Sequence, residues 1–129
     1  MKRGNMKRLP DTELEVMKAL WTSGPDVPRA ELERLLAPFA WAPNTINTYL
    51  TRLADKGFVS VRRSGKSNLY TPLIPREDYQ AFDSRAVVSR LYGSPRNFVA
   101  ALAREGLDRR DLEELQDLLD ELSGGHGHG

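Results

Sequence analysis

Between Ala42 and Tyr70 the spacing of apolar residues changes from that of a helix to that of a strand. Ile46, Leu50 and Leu53 stand at i, i+4 and i+7, so they share one helical face. The opposite face carries Asn44, Asn47, Thr48, Thr51 and Arg52, with a single acid, Asp55, near its end. Short hydrogen-bonding groups and a guanidinium suit the base edges and phosphates of a major groove. A solvated surface helix is the plainer reading of such a face, because surface composition is loosely constrained. The next segment separates the two. In FVSVRRSGKSNLYTPL, Val59 and Val61 alternate with Ser60 and Arg62, and Leu69 and Thr71 alternate with Tyr70. Arg63-Ser64-Gly65-Lys66 between them is a turn sequence. The segment predicts a hairpin with a basic tip: Arg62, Arg63 and Lys66.

Two helices are expected ahead of this unit. Asp11 or Thr12 can cap the first, and Thr12 with Glu15 has capping-box spacing. Leu14, Met17, Leu20 and Trp21 recur at helical spacing, and Thr22-Ser23-Gly24-Pro25 ends the run. The second helix runs from about Pro28 to Ala37, with Leu32, Leu35 and Leu36 inward and Pro38 as its stop. Phe39-Ala40-Trp41-Ala42 is apolar and is expected to pack between helices two and three. Helix three opens at Pro43 behind Ala42, a poor cap costing about 1 kcal/mol relative to Ser or Thr. Three helices followed by a basic-tipped hairpin is the order of a winged helix-turn-helix. The fold class expected is therefore mainly α: a winged-helix domain with a two-stranded wing, then a helical region.

Beyond Pro72 and Pro75 the chain reads as helical again, with Tyr79, Phe82, Val87, Leu91 and Tyr92 apolar and Gly93-Ser94-Pro95 as a break. Ser94 caps a helix carrying Phe98, Val99 and Leu102, and a last helix begins near Asp108. Leu112, Leu115, Leu119 and Leu122 stand at i, i+3, i+7 and i+10, the seam spacing of a helix that packs on another helix. Packing within the chain is one reading; a dimer seam is favoured, because the segment is acidic and set off by two prolines. Its expected members are Leu91, Tyr92, Phe98, Leu102, Leu112, Leu115, Leu119 and Leu122. The organisation expected is a flexible basic arm over 1–10, a DNA-binding domain over 11–73, a helical dimerisation region over 74–123 and a flexible tail over 124–129. His126 and His128 supply only two ligands, with no carboxylate or thiol near in sequence, so no metal site is expected.

Charge agrees with this division. Residues 1–72 hold 12 Lys and Arg against 7 Asp and Glu, net +5, whereas residues 73–129 hold 7 against 11, net −4. Only the front half is suited to a polyanion. The absence of cysteine excludes disulfides, thiolate metal sites and thiol catalysis. Nothing in the sequence approaches a transmembrane span, and MKRGNMKRLP lacks the apolar run of a signal peptide, so a cytoplasmic protein is expected. An enzyme is disfavoured. There is no phosphate-cradling glycine loop, and Glu113-Glu114 lies on a helix rich in solvent-facing charge.

TELEVMKALW, WAPNTINTYLTRLADKGFVSVRRSGKSNLYTP, LYG and LEELQDLL together resemble the BlaI/MecI/CopY family of penicillinase-type repressors, over roughly Leu9–Leu122. The most specific block is Thr45–Phe58. The resemblance implies a homodimer whose winged helices bind a palindromic or pseudo-palindromic DNA operator and whose C-terminal helices make the dimer. Recognition-helix positions fall on Asn44, Thr45, Asn47, Thr48, Thr51 and Arg52. Typical penicillinase repressors carry basic residues where this chain has Asn44 and Asn47. The cysteine cluster of copper-responsive members is missing, and no cofactor is implied. Cleavage at an Asn-Phe bond inactivates penicillinase-type members. Asn97-Phe98 is present, but aligning LYG and LEEL puts the usual bond nearer Ala101-Leu102, so the cleavage site is not carried over.

The mechanism expected is occupation of a promoter. Helix three lies in the major groove, with Thr45 and Thr48 reaching bases or phosphates and Asn44 and Asn47 reaching base edges, adenine being the usual bidentate partner of Asn. Arg52, Arg62, Arg63 and Lys66 hold phosphates. A winged helix that docks a protein partner without sequence preference is the alternative. The sequence names neither the operator nor an inducing protease or effector.

Overall fold

The computed structural model describes residues 6–127, the side chains of 125–127 excepted. The elements run α1 (Asp11–Ser23), β1 (Val27–Pro28), α2 (Arg29–Leu36), a 3-10 turn (Ala37–Phe39), α3 (Pro43–Asp55), β2 (Val59–Ser64), β3 (Ser67–Pro72), α4 (Arg76–Val87), a π turn (Val88–Tyr92), α5 (Pro95–Gly106) and α6 (Arg109–Gly127). They form two compact units, residues 1–86 and 87–129.

The core of the first unit is drawn from the helical stripes. Val16, Met17 and Leu20 of α1, Leu32 and Leu36 of α2, and Ile46, Leu50 and Leu53 of α3 are all buried. Leu14, Trp21 and Leu35, expected inward, are half-buried at its margin. Each fully buried side chain of this size contributes about 1.5–3 kcal/mol. No side chain caps α1: Pro10 occupies the cap position, and Asp11 and Glu13 lie in the first turn. Those acids face the positive end of the helix dipole, which stands in for the expected capping box. The end of α3 is closed by a Schellman motif, in which Phe58 N–H donates to Leu53 O (2.9 Å) and Gly57 N–H to Ala54 O (3.0 Å). Gly57 supplies the positive φ of +82° that this cap requires.

Among the described residues the sheet has three strands in the order β1-β3-β2: the expected two-stranded wing, β2 and β3, and an added edge strand, β1. Val27 pairs with Tyr70 and Pro28 with Leu69. A two-residue strand carries no periodicity, so it left no trace in the sequence pattern. Pro28 is tolerated because β1 is an edge strand. In the wing, Ser64 pairs with Ser67 and Arg63 with Asn68, leaving Gly65-Lys66 as a two-residue loop. Gly65 has φ +61°, as the first central residue of a II′ hairpin turn requires. Arg62 and Arg63 are therefore strand residues, and the tip proper is Gly65-Lys66.

Two expected boundaries move. The arm expected through Pro10 is anchored earlier: Leu9 is buried, its N–H donates to Tyr79 Oη (2.7 Å), and Arg8 pairs with Asp83. Lys2 and Arg3 lie outside the described residues. The first unit likewise runs past residue 73, because α4 packs on it. Tyr79 is 3% exposed and its ring meets Phe58 edge-on at 5.7 Å, while Trp21 Nε1 donates to Ile74 O (2.8 Å). Burial pushes the Tyr79 phenol above its usual pKa, against the opposing effect of the Leu9 N–H. The Leu9–Tyr79 bond joins residues seventy positions apart and is invisible to any local pattern. A part-buried pair also escaped the sequence reading. Glu13 is 1% exposed, and its carboxylate takes a hydrogen bond from Lys56 Nζ (2.6 Å), tying the start of α1 to the end of α3.

In the second unit Ser94 caps α5, its hydroxyl accepting from Asn97 N–H (3.2 Å). Tyr92 and Phe98 pack edge to face at 5.1 Å. Helix α6 continues to Gly127, where a flexible tail was expected from Gly124. Extending an existing helix adds a backbone hydrogen bond per residue fixed, without a new nucleus. His128 lies outside the described residues. No described residue of this unit is fully buried.

Replacing Tyr79 by Phe removes the acceptor for the buried Leu9 N–H. The loss expected is about 1–3 kcal/mol, read from the urea midpoint of the full chain. A midpoint equal to wild type would show that this bond does not hold α4 and the N-terminal segment to the core.

Candidate nucleic-acid interface

The rotation of α3 about its axis is set by its buried stripe, Ile46, Leu50 and Leu53. Asn44, Asn47, Thr48, Thr51 and Arg52 are consequently exposed, and Thr45 is half-buried at the edge of the polar face. The start of α3 is propped by aromatic rings. Phe39 stacks on Trp41 at 4.6 Å, and Trp41 meets Tyr49 edge-on at 5.1 Å. Ala40 between them takes φ +56°, which turns the chain from α2 into α3. Ala42 provides no side-chain cap, and Pro43 occupies the first turn, as the sequence implied.

Hydrogen bonds already made on this face limit what it can offer. Thr48 Oγ1 donates to Asn44 O (3.1 Å), which leaves its oxygen lone pairs as acceptors. Arg29, from the first turn of α2, donates to Asn47 Oδ1, to Pro43 O (3.1 Å) and to Glu33 Oε2 (2.8 Å). Sequence reasoning missed Arg29; its only local signal was a guanidinium next to the helix-starting Pro28.

The wing supplies charge. Arg62, Arg63 and Lys66 are all exposed. Arg63 Nε donates to Gly65 O (3.1 Å), folding the side chain over the turn with four other donors remaining. Arg62 is the exception, because its guanidinium lies 3.4 Å from Asp26 Oδ2. Asp26, at φ +54°, is held by Thr71: its N–H donates to Thr71 Oγ1 (2.9 Å), which donates to Asp26 Oδ1 (3.3 Å). This carboxylate offsets one of the three wing cations, a contribution the hairpin sequence alone did not reveal. Between α3 and the wing lies a cleft of about 290 Å³ whose polar lining is Asn47, Thr51, Asp55 and Asn68. Asn68 is a second group the sequence reading missed; it sits beside Arg63 in the strand register.

The arrangement is one helix with a donor- and acceptor-rich outer face and, beside it, a two-stranded ribbon carrying three cations. Helix faces of this kind fit the major groove, and cations of this kind fit phosphates.

Comparison with known proteins places similar sequences on the same plan. Residues 9–121 match the family described as penicillinase repressor. The penicillinase repressor of Bacillus licheniformis is 32% identical over 121 residues, 90% of this chain and 94% of that protein. The methicillin resistance regulatory protein MecI of Staphylococcus aureus strain N315 is 26% identical over 113 residues, 86% of this chain and 92% of that protein. Among solved structures, the DNA-binding domain of the repressor BlaI is 36% identical with a TM-score of 0.51, covering 57% of this chain and 93% of that domain.

Substituting Asp26 by Asn keeps a side chain that tolerates the positive φ and accepts from Thr71, while removing the charge opposite Arg62. Duplex DNA binding should tighten, and its dependence on log salt should steepen by about one unit. Fluorescence anisotropy across a salt series measures both. Equal slopes for the two proteins would place Arg62 outside phosphate reach.

Proposed function

The chain belongs to the penicillinase repressor family, and on that premise we propose that it is a DNA-binding transcriptional repressor acting as a homodimer in the cytoplasm. One observation carries the reading: the buried stripe of α3 turns Asn44, Asn47, Thr48, Thr51 and Arg52 outward beside the cationic wing. Helix α3 enters the major groove, Asn44, Thr45, Asn47, Thr48 and Thr51 address base edges and nearby phosphates, and Arg52, Arg63 and Lys66 hold the backbone. Arg62 joins them when its pair with Asp26 opens. Occupying a promoter is sufficient to repress it, and no catalytic step is part of this reading. Among the described residues no helix is long and apolar enough to cross a membrane.

The dimer is supported by the second unit. Leu91 is 73% exposed, and Leu112, Leu119 and Leu122 are each more than half exposed. Leu115 is half-buried on the same stripe. An amphipathic helix with an uncovered leucine seam is stabilised by a second copy of itself. Leu102 extends the apolar surface on α5, whose Phe98 packs against Tyr92 of the preceding π turn. The dimerisation region in this reading begins near residue 87. Two winged helices joined this way read half-sites about one DNA turn, ~34–36 Å, apart.

Selection from a random duplex pool at near-physiological salt tests the reading, with an inverted repeat as the expected product. Weak, salt-sensitive binding without an enriched motif would favour a protein-docking module instead. The double substitution Arg63→Ala, Lys66→Ala should weaken binding to all sequences alike and flatten the salt slope by roughly one unit per lost phosphate contact. A slope that does not move removes the wing from the interface. Leu119→Glu should shift the sedimentation coefficient from dimer to monomer and leave the helical circular dichroism of the first unit intact. Persistence of the dimer would move the seam away from α6.

A further inference from the structure

Arg29 opens α2 and reaches α3. Its Nη1 donates to Asn47 Oδ1 (2.5 Å), its Nη2 to the Pro43 carbonyl (3.1 Å) and its Nε to Glu33 Oε2 (2.8 Å). With three acceptors on two helices and a side chain only 22% exposed, the guanidinium is fixed in place. A guanidinium has donors only, so the Asn47 atom it meets must be the amide oxygen. The amide is planar, and its two N–H groups are thereby turned away from Arg29. Asn47 itself is exposed on α3 and lines the cleft shared with Thr51 and Asn68.

Asparagine reads adenine by using both ends of the amide, donating to N7 and accepting from the N6 amino group. In Asn47 the accepting end is already occupied by a cation. The oxygen keeps a second lone pair, but an adenine amino group brought to it would face the guanidinium, donor against donor. Guanine presents two adjacent acceptors, N7 and O6, and no donor beside them. We infer that Arg29 is a positioning residue for specificity: by holding the Asn47 oxygen, it makes Asn47 a guanine reader instead of an adenine reader. This inference rests on the placement of α3 in the major groove proposed above. It assigns control over a base preference to a residue outside the recognition helix, in a chain that has no basic side chain at position 47 to read guanine directly.

The test is selection from a random duplex pool with the full-length wild type, Asn47→Ala, Arg29→Ala, Arg29→Lys and Asn47→Asp. The position at which the Asn47→Ala profile flattens is the one Asn47 reads. There the wild type should prefer a G·C pair roughly tenfold or more. Arg29→Ala and Arg29→Lys should both move that position toward A·T, since neither keeps the forked donor on the amide oxygen. Asn47→Asp keeps an acceptor for Arg29 but offers a base no donor, so it should select cytosine, inverting the pair. Asn47 is on the surface, so this last variant carries the test even if circular dichroism melting shows the Arg29 variants unfolded. Replacing the assigned guanine by 7-deazaguanine should weaken wild-type binding and leave Asn47→Ala unaffected. The inference is overturned if the wild type selects A·T at that position, or if Asn47→Ala leaves the profile unchanged. It is also overturned if the Arg29 variants keep G·C and lose only salt slope, which would make Arg29 a phosphate contact. Failure to enrich any motif would instead sink the operator-binding reading, and this inference with it.

Discussion

Burial of Ile46, Leu50 and Leu53 fixes the rotation of α3, and the rest of the candidate interface follows from it. A helix that sinks three apolar side chains into a packed core cannot turn about its axis without exposing them, at about 1.5–3 kcal/mol each. The outward direction of Asn44, Asn47, Thr48 and Thr51 is thus a consequence of packing on the other side. The surroundings reinforce it. The Schellman motif at Gly57 ends the helix, the Glu13–Lys56 pair ties that end to α1, and the Phe39–Trp41–Tyr49 rings steady its beginning.

The wing shows how electrostatics are distributed by the fold rather than by composition. Three cations lie close together in sequence, yet they are not equivalent in space. Lys66 stands at the tip, Arg63 folds over the turn, and Arg62 is countered by Asp26 from the loop before β1. An exposed ion pair of this sort contributes little to stability, so its consequence lies in which of the wing cations is left without a counter-charge. Arg29, from α2, acts similarly on α3: it occupies the Asn47 amide oxygen and so limits what Asn47 can offer.

The two units obey different packing logic. The first encloses a continuous core and recruits both the Leu9 segment and α4 to complete it, through Tyr79. The second carries apolar residues at helical spacing but buries none of them fully. A unit of so few helices buries little on its own, and Leu112, Leu118, Leu119 and Leu122 of α6 are left exposed.

Elements whose signals are local can be read from the residues alone. The i, i+4, i+7 spacing on α3, the alternation through β2 and β3, a turn around Gly65 and Ser94 as a cap each depend on residues within a few positions of one another. From these the winged-helix order, the polar face of α3 and the basic wing were all legible. Tertiary structure alone decided the rest. The two-residue strand β1 exists only because β3 is there to pair with it, and Leu9 is anchored only because Tyr79 offers an acceptor. Glu13 is buried only because Lys56 meets it, and Asn47 presents its amide in one orientation only because Arg29 arrives from α2. In each case the partner is many residues away. A polar side chain's role depends on which partner reaches it, and chain order does not specify that partner, whereas apolar periodicity needs only a core to face.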